Sequence, residues 1–90
     1  MEDNKVKAVV EETGCEVSAP LAKRLFYHVY GHMLYNDTPC FLDMLNYRVN
    51  LGPLGKARED YLIFKFMLRQ MKKHYPSKLL SLVSNKEHAA

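Results

Sequence analysis

Apolar and basic residues occupy separate rows over the longest patterned stretch of the chain, residues 57–75. Six apolar side chains recur at spacings of four and three residues, which places them on one side of an α-helix. They are Ala57, Tyr61, Phe64, Leu68, Met71 and Tyr75. Five basic side chains fall within an arc of roughly 100° on the other side; they are Arg58, Lys65, Arg69, Lys72 and Lys73. The pattern predicts a long helix with a core-facing side and a cationic side.

Capping residues and helix breakers predict four shorter helices around this one. Asp3 and Ser18 are suitable N-caps, and Gly14 stands where a left-handed C-cap residue is expected. Asn36 is expected to take a positive φ before the next helix starts at Pro39. We therefore expect helices at about residues 3–13, 18–35, 39–47, 57–75 and 78–83, with a loop at residues 48–55.

The second and fourth helices carry more apolar positions than one small core requires. Tyr27, Tyr30 and Leu34 form a second strip beside the expected core stripe of the second helix. The third helix is expected to bury Phe41, Leu42, Met44 and Leu45. Gly31 lies in the middle of the second helix, where glycine costs about 1 kcal/mol relative to alanine. A close helix crossing at Gly31 would explain this residue.

The fold class that follows is all-α, a compact orthogonal or bundle-like array of four to five helices. Ninety residues make one domain, and 48% of them are hydrophobic, which is enough for a packed core. Residues 1–90 are therefore read as one helical domain, with residues 1–3 and 84–90 expected to be frayed.

Charge is distributed unevenly along the chain. Residues 1–16 carry a net charge of −3, and residues 54–90 carry a net charge of +5. Such an asymmetry predicts either a polyanionic partner or an internal pairing between the first helix and the basic helix.

Cysteine usage and hydropathy predict a cytoplasmic protein in a reducing compartment. Cys15 and Cys40 lie in unlike contexts, so we interpret them as unpaired thiols. The longest uncharged apolar run is Tyr61 to Phe64, which is too short to cross a membrane.

Catalytic and metal-binding patterns are weak. His28 and His32 have the spacing of two ligands on one helix, but Arg24 on the same row would repel a cation. Cys40 lies in the first turn of a helix, where the helix dipole can lower a thiol pKa, but no orienting base accompanies it. We predict no enzyme activity, no metal, no cofactor and no small-molecule substrate.

The leading functional hypothesis is a regulatory module that associates with nucleic acid, or with nucleic-acid machinery, through the basic row. Lys78 extends that row beyond Pro76, and each cation can neutralise one phosphate. Leu62 and Phe66 lie beside it and could contact a base or an acidic partner protein. The hypothesis requires Lys65 and Arg69 to face solvent. If the acidic first helix covers them, the charge asymmetry is internal.

The alternative hypothesis is a protein–protein interaction module, such as an adaptor, an inhibitor or a homodimer. It would use the apolar residues Leu62, Phe66, Tyr27, Tyr30 and Leu34. Six tyrosines and no tryptophan fit an interface of moderate polarity.

Overall fold

A computed structural model describes residues 3–84 of the chain, which form five α-helices. The helices are α1 (Asn4–Thr13), α2 (Ala19–Asn36), α3 (Thr38–Leu51), α4 (Lys56–His74) and α5 (Pro76–Ser84). The predicted all-α, single-core architecture is confirmed. Of the termini predicted to be frayed, Asp3 caps α1 and Ser84 ends α5, whereas residues 1–2 and 85–90 lie outside the described residues.

The first two helices begin and end where local chemistry predicts. Asp3 accepts hydrogen bonds from the amides of Lys5 and Val6, at 2.8 and 3.2 Å, and Gly14 ends α1 with φ 73°. Ser18 accepts from the amide of Leu21 at 3.3 Å. These contacts satisfy helix-end groups that would otherwise lack a partner.

Three boundaries differ from the expectation. The third helix extends to Leu51 and stops only at Gly52, which has φ 78°, so the predicted loop at residues 48–55 is wrong for its first half. Asn36 ends α2 without a positive φ, and Asp37 makes the turn with φ −149°. The last helix starts at Pro76, two residues earlier than expected.

The core is centred on α4, which contacts each of the other four helices. Its buried side chains are Ile63, Phe64, Met67, Leu68 and Met71. Helix α1 makes the most extensive contact with α4, and α3 packs on another side of it. Leu79 and Val83 of α5 close the core near the end of α4.

Gly31 does not mark a close helix crossing. A Cβ atom built at Gly31 would meet no atom within 4 Å, so the expected reason for this glycine is wrong.

Among residues 3–84, no helix combines the length and the apolar character needed to cross a bilayer.

Candidate functional surfaces

Three cations on the basic side of α4 form ion pairs with the acidic end of α1. Arg69 Nε lies 3.0 Å from Glu12 Oε2, and Lys72 Nζ lies 3.4 Å from Glu12 Oε1. Lys65 Nζ lies 3.1 Å from Glu11 Oε1. The Glu12 side chain is only 8% exposed. The negative charge of the first helix and the positive charge of the fourth helix therefore neutralise each other, at least in part, within the fold.

Tyr61 joins this contact between α1 and α4. Its hydroxyl donates a hydrogen bond to Glu11 and accepts one from Lys65 at 3.2 Å. The Tyr61 hydrogen bond, followed by that from Lys65, holds the pKa of Glu11 below its ordinary value. The hydrogen bond from Lys65 to Tyr61, followed by that to Glu11, raises the pKa of Lys65. The contacts among Glu11, Tyr61 and Lys65 thus favour the ionised Glu11 carboxylate and the protonated Lys65 ammonium.

Consequently, Lys65 does not meet the condition that the nucleic-acid hypothesis set. Its side chain is 18% exposed and lies against Glu11. Arg69 remains 59% exposed while it binds Glu12, and Lys72 is similarly half-exposed. The remaining predicted binding residues Arg58, Lys73 and Lys78 are exposed, and no carboxylate of residues 3–84 lies within ion-pair distance of them.

Leu62 and Phe66 are less available than expected. The ring of Phe66 stacks on Tyr47 of α3, with centroids 4.9 Å apart, and Phe66 packs against the core. Leu62 is half-buried. These two residues do not form a large exposed apolar surface on α4.

A larger apolar surface lies on α2 and α3. The ring of Tyr30 contacts the ring of Phe41 at 5.2 Å, which joins the two helices. On α2, Tyr27 and Leu34 lie three residues before and four after Tyr30, in the same row. Tyr27 is 60% exposed, Leu34 is also exposed, and Tyr30 is half-buried. This row is the part of the predicted apolar interface that the structure leaves accessible.

Helix α3 continues the same surface. Leu45 and Val49 follow Phe41 at spacings of four, and Leu42 lies beside them. Leu42 is 53% exposed and Val49 is 78% exposed, so the expectation that Leu42 would be buried is wrong. We call the whole set the α2–α3 surface; it comprises Tyr27, Tyr30, Leu34, Phe41, Leu42, Leu45 and Val49. The α3 part was missed because Phe41, Leu42 and Leu45 were assigned to the core and α3 was predicted to end before Val49.

A groove of about 190 Å³ adjoins this surface. Its apolar lining consists of Phe26, Tyr27, Tyr30, Met44 and Ile63. Its polar lining consists of Lys5, Arg48, Lys56 and Asp60. Asp60 accepts from Lys5 at 3.5 Å and lies 3.6 Å from Lys56, whereas Arg48 lies 3.9 Å from Glu59.

The predicted histidine and cysteine candidates lie elsewhere. Burial, followed by the charge of Asp37, raises the pKa of the Cys40 thiol, which opposes the expected effect of the helix dipole. His28 is exposed and His32 is half-buried against the Tyr75 ring. Within residues 3–84, no group of three or more His, Cys, Asp or Glu side chains is placed to hold a metal ion.

Comparisons with protein-family models, with curated proteins and with solved structures found no match for this chain.

Proposed function

We propose that the chain is a small, non-enzymatic interaction module that binds another protein through the α2–α3 surface. The observation that supports this proposal is the exposure of Tyr27, Leu42 and Val49 on two adjacent helices. Burying apolar surface contributes about 25 cal/mol per Å². Contiguous exposed apolar surface on a soluble domain is typical of a binding site.

Tyrosine gives this surface a suitable chemical character. Tyr27 and Tyr30 each combine a large ring with a polar hydroxyl, and tyrosine is enriched at protein interfaces. The surface is built on two helices that pack on the core, so its residues are held in place before a partner binds. A preformed surface reduces the entropy cost of association.

Association with nucleic acid is the second candidate function. Three exposed cations, Arg58, Lys73 and Lys78, support it because they have no ion pair within residues 3–84. Three others, Lys65, Arg69 and Lys72, are engaged by Glu11 and Glu12. For this reason we rank nucleic acid below a protein partner. A reducing, intracellular location remains a prediction from the sequence.

The test is affinity capture with wild-type protein and with a Tyr27→Glu, Val49→Glu double variant. Both side chains are mostly exposed, so the variant should fold, which a thermal melt by circular dichroism verifies. Leu80→Glu is the matched control because Leu80 is an exposed apolar residue of α5. We expect the double variant to lose at least about tenfold in partner affinity, or roughly 1.4 kcal/mol.

Two results would contradict the proposal. One is that the double variant binds the captured partner as tightly as wild type and Leu80→Glu do. The other is binding of duplex or single-stranded DNA that weakens with salt and is lost in an Arg58→Glu, Lys73→Glu variant. The second result would establish the nucleic-acid candidate instead.

A further inference from the structure

The groove beside the α2–α3 surface has room for one large apolar side chain. Its volume of about 190 Å³ exceeds the roughly 150 Å³ of a protein cavity that holds benzene. Met44 and Ile63, which are buried, and Phe26, which is half-buried, contribute to its lining. Tyr27 and Tyr30 belong both to the groove and to the α2–α3 surface. A ligand that lies along the surface can therefore place an anchor residue in the groove.

The rim of the groove is mainly positive. It holds three cations, Lys5, Arg48 and Lys56, against one carboxylate, Asp60. Asp60 is already shared by two lysines, at 3.5 Å for Lys5 and 3.6 Å for Lys56.

Two of these cations are available to a partner. The side chain of Lys56 is 87% exposed, and that of Arg48 is 57% exposed with its carboxylate contact at 3.9 Å. Exposed ion pairs of this length contribute little to stability, typically about 0–1 kcal/mol. Arg48 and Lys56 can therefore turn toward a new carboxylate at small cost.

We propose that this groove and the α2–α3 surface bind an acidic amphipathic helix of a partner protein. The inference rests on the proposed function and specifies the partner. The row from Tyr27 to Leu34 spans about 10 Å, or two helical turns. A helix with apolar residues at positions i, i+4 and i+7 has a matching row of anchors. Its acidic flank meets Arg48 and Lys56, while one anchor enters the groove.

A second copy of this chain fits the groove less well. In a two-fold symmetric dimer centred on this site, the cationic rim of one copy approaches that of the other. Like charges placed opposite each other at an interface oppose association. Nucleic acid also fits less well, because Asp60 would face phosphate and the groove includes the apolar residues Met44 and Ile63.

The experiment titrates the whole chain, labelled with ¹⁵N, with two synthetic helical peptides of about 16 residues, or roughly 24 Å. Both peptides carry phenylalanine and leucine at positions i, i+4 and i+7. The remaining face carries glutamates in one peptide and lysines in the other. Chemical-shift changes locate the site, and calorimetry gives the affinity.

We expect the glutamate peptide to bind at least about tenfold more tightly than the lysine peptide at low salt, and the preference to shrink as salt rises. Shifts should cluster on Tyr27, Tyr30 and Met44. An Arg48→Glu, Lys56→Glu variant should reverse the preference, and Leu80→Glu should leave it unchanged. A thermal melt of each variant verifies that it folds.

Equal binding of the two peptides, shifts confined to α1 and α4, or a wild-type dimer that closes this groove would each overturn the inference. The proposed function would survive the first of these results if Tyr27→Glu, Val49→Glu still abolished partner capture. The two proposals can therefore fail separately.

Discussion

His32 belongs to a chain of side-chain contacts that joins three helices. Its ring meets the ring of Tyr75 edge-on at 4.6 Å, and the Tyr75 hydroxyl donates to Asp37 at 2.8 Å. Asp37 in turn accepts from the amide of Cys40 at the start of α3. Tyr75 follows α4, so these contacts join the ends of α2 and α4 to the start of α3. The hydrogen bond from Tyr75, followed by that from Cys40, lowers the pKa of Asp37.

The position of His32 predicts a pH dependence of stability. Burial, and then the charge of Lys78, lowers the pKa of His32 from its ordinary value of 6.5. The charge of His28 also lowers this pKa, whereas the charge of Asp37 raises it. The unfolded chain therefore binds a proton at His32 more readily than the folded chain does. Stability is fully present above about pH 6.5 and falls as the pH drops further.

Urea denaturation between pH 7.5 and pH 5.5 measures this effect, in a window above the ordinary pKa values of Glu11 and Asp37, 4.5 and 3.8. We expect wild type to lose more free energy of unfolding over this range than His32→Gln does. His28→Gln removes an exposed histidine one turn earlier and should change the pH profile less than His32→Gln does. Parallel pH profiles for wild type and His32→Gln would show that this histidine is not the source.

At the scale of the helices, three residues with a strong local effect on the backbone were placed correctly from the sequence. Asp3, Gly14 and Ser18 define the ends of α1 and the start of α2 because each acts within one turn. The end of α3 was missed because Arg48 and the three residues after it have no such effect. They stay helical until Gly52 takes φ 78°.

A substitution at Gly31 tests how much helix propensity within α2 contributes to stability. The space around it is open, because a Cβ atom added to its backbone would have no neighbouring atom within 4 Å. Gly31→Ala should therefore raise the free energy of unfolding by about 0.5–1 kcal/mol through helix propensity. Gly14→Ala is the contrasting control, since Gly14 has φ 73° and a side chain there is strained. Chemical denaturation measures both variants, and a destabilising Gly31→Ala would indicate a contact at this position that the fold does not show.

At the scale of the whole molecule, acidic side chains of α1 form ion pairs with basic side chains of α4. The sequence predicted the charge asymmetry but left two explanations open, because the order of charges along a chain does not say which helices touch. Packing of α1 on α4 places Glu12 against Arg69 and Lys72, which favours the internal explanation for those cations. The exposed α2–α3 surface likewise depends on tertiary packing, which decides whether Leu42 faces the core or solvent.

A double-mutant cycle between Glu12 and Arg69 tests most directly whether the acidic helix neutralises the basic one. The free energies of unfolding of wild type, Glu12→Gln, Arg69→Gln and the double variant are measured at about 50 mM and about 500 mM salt. We expect a favourable coupling of about 0.5–1 kcal/mol at low salt that decreases at high salt, because Glu12 is largely buried and Arg69 is half-exposed. Strictly additive effects at both salt concentrations would contradict the pairing. They would indicate that Glu12 does not neutralise Arg69 on the basic face of α4.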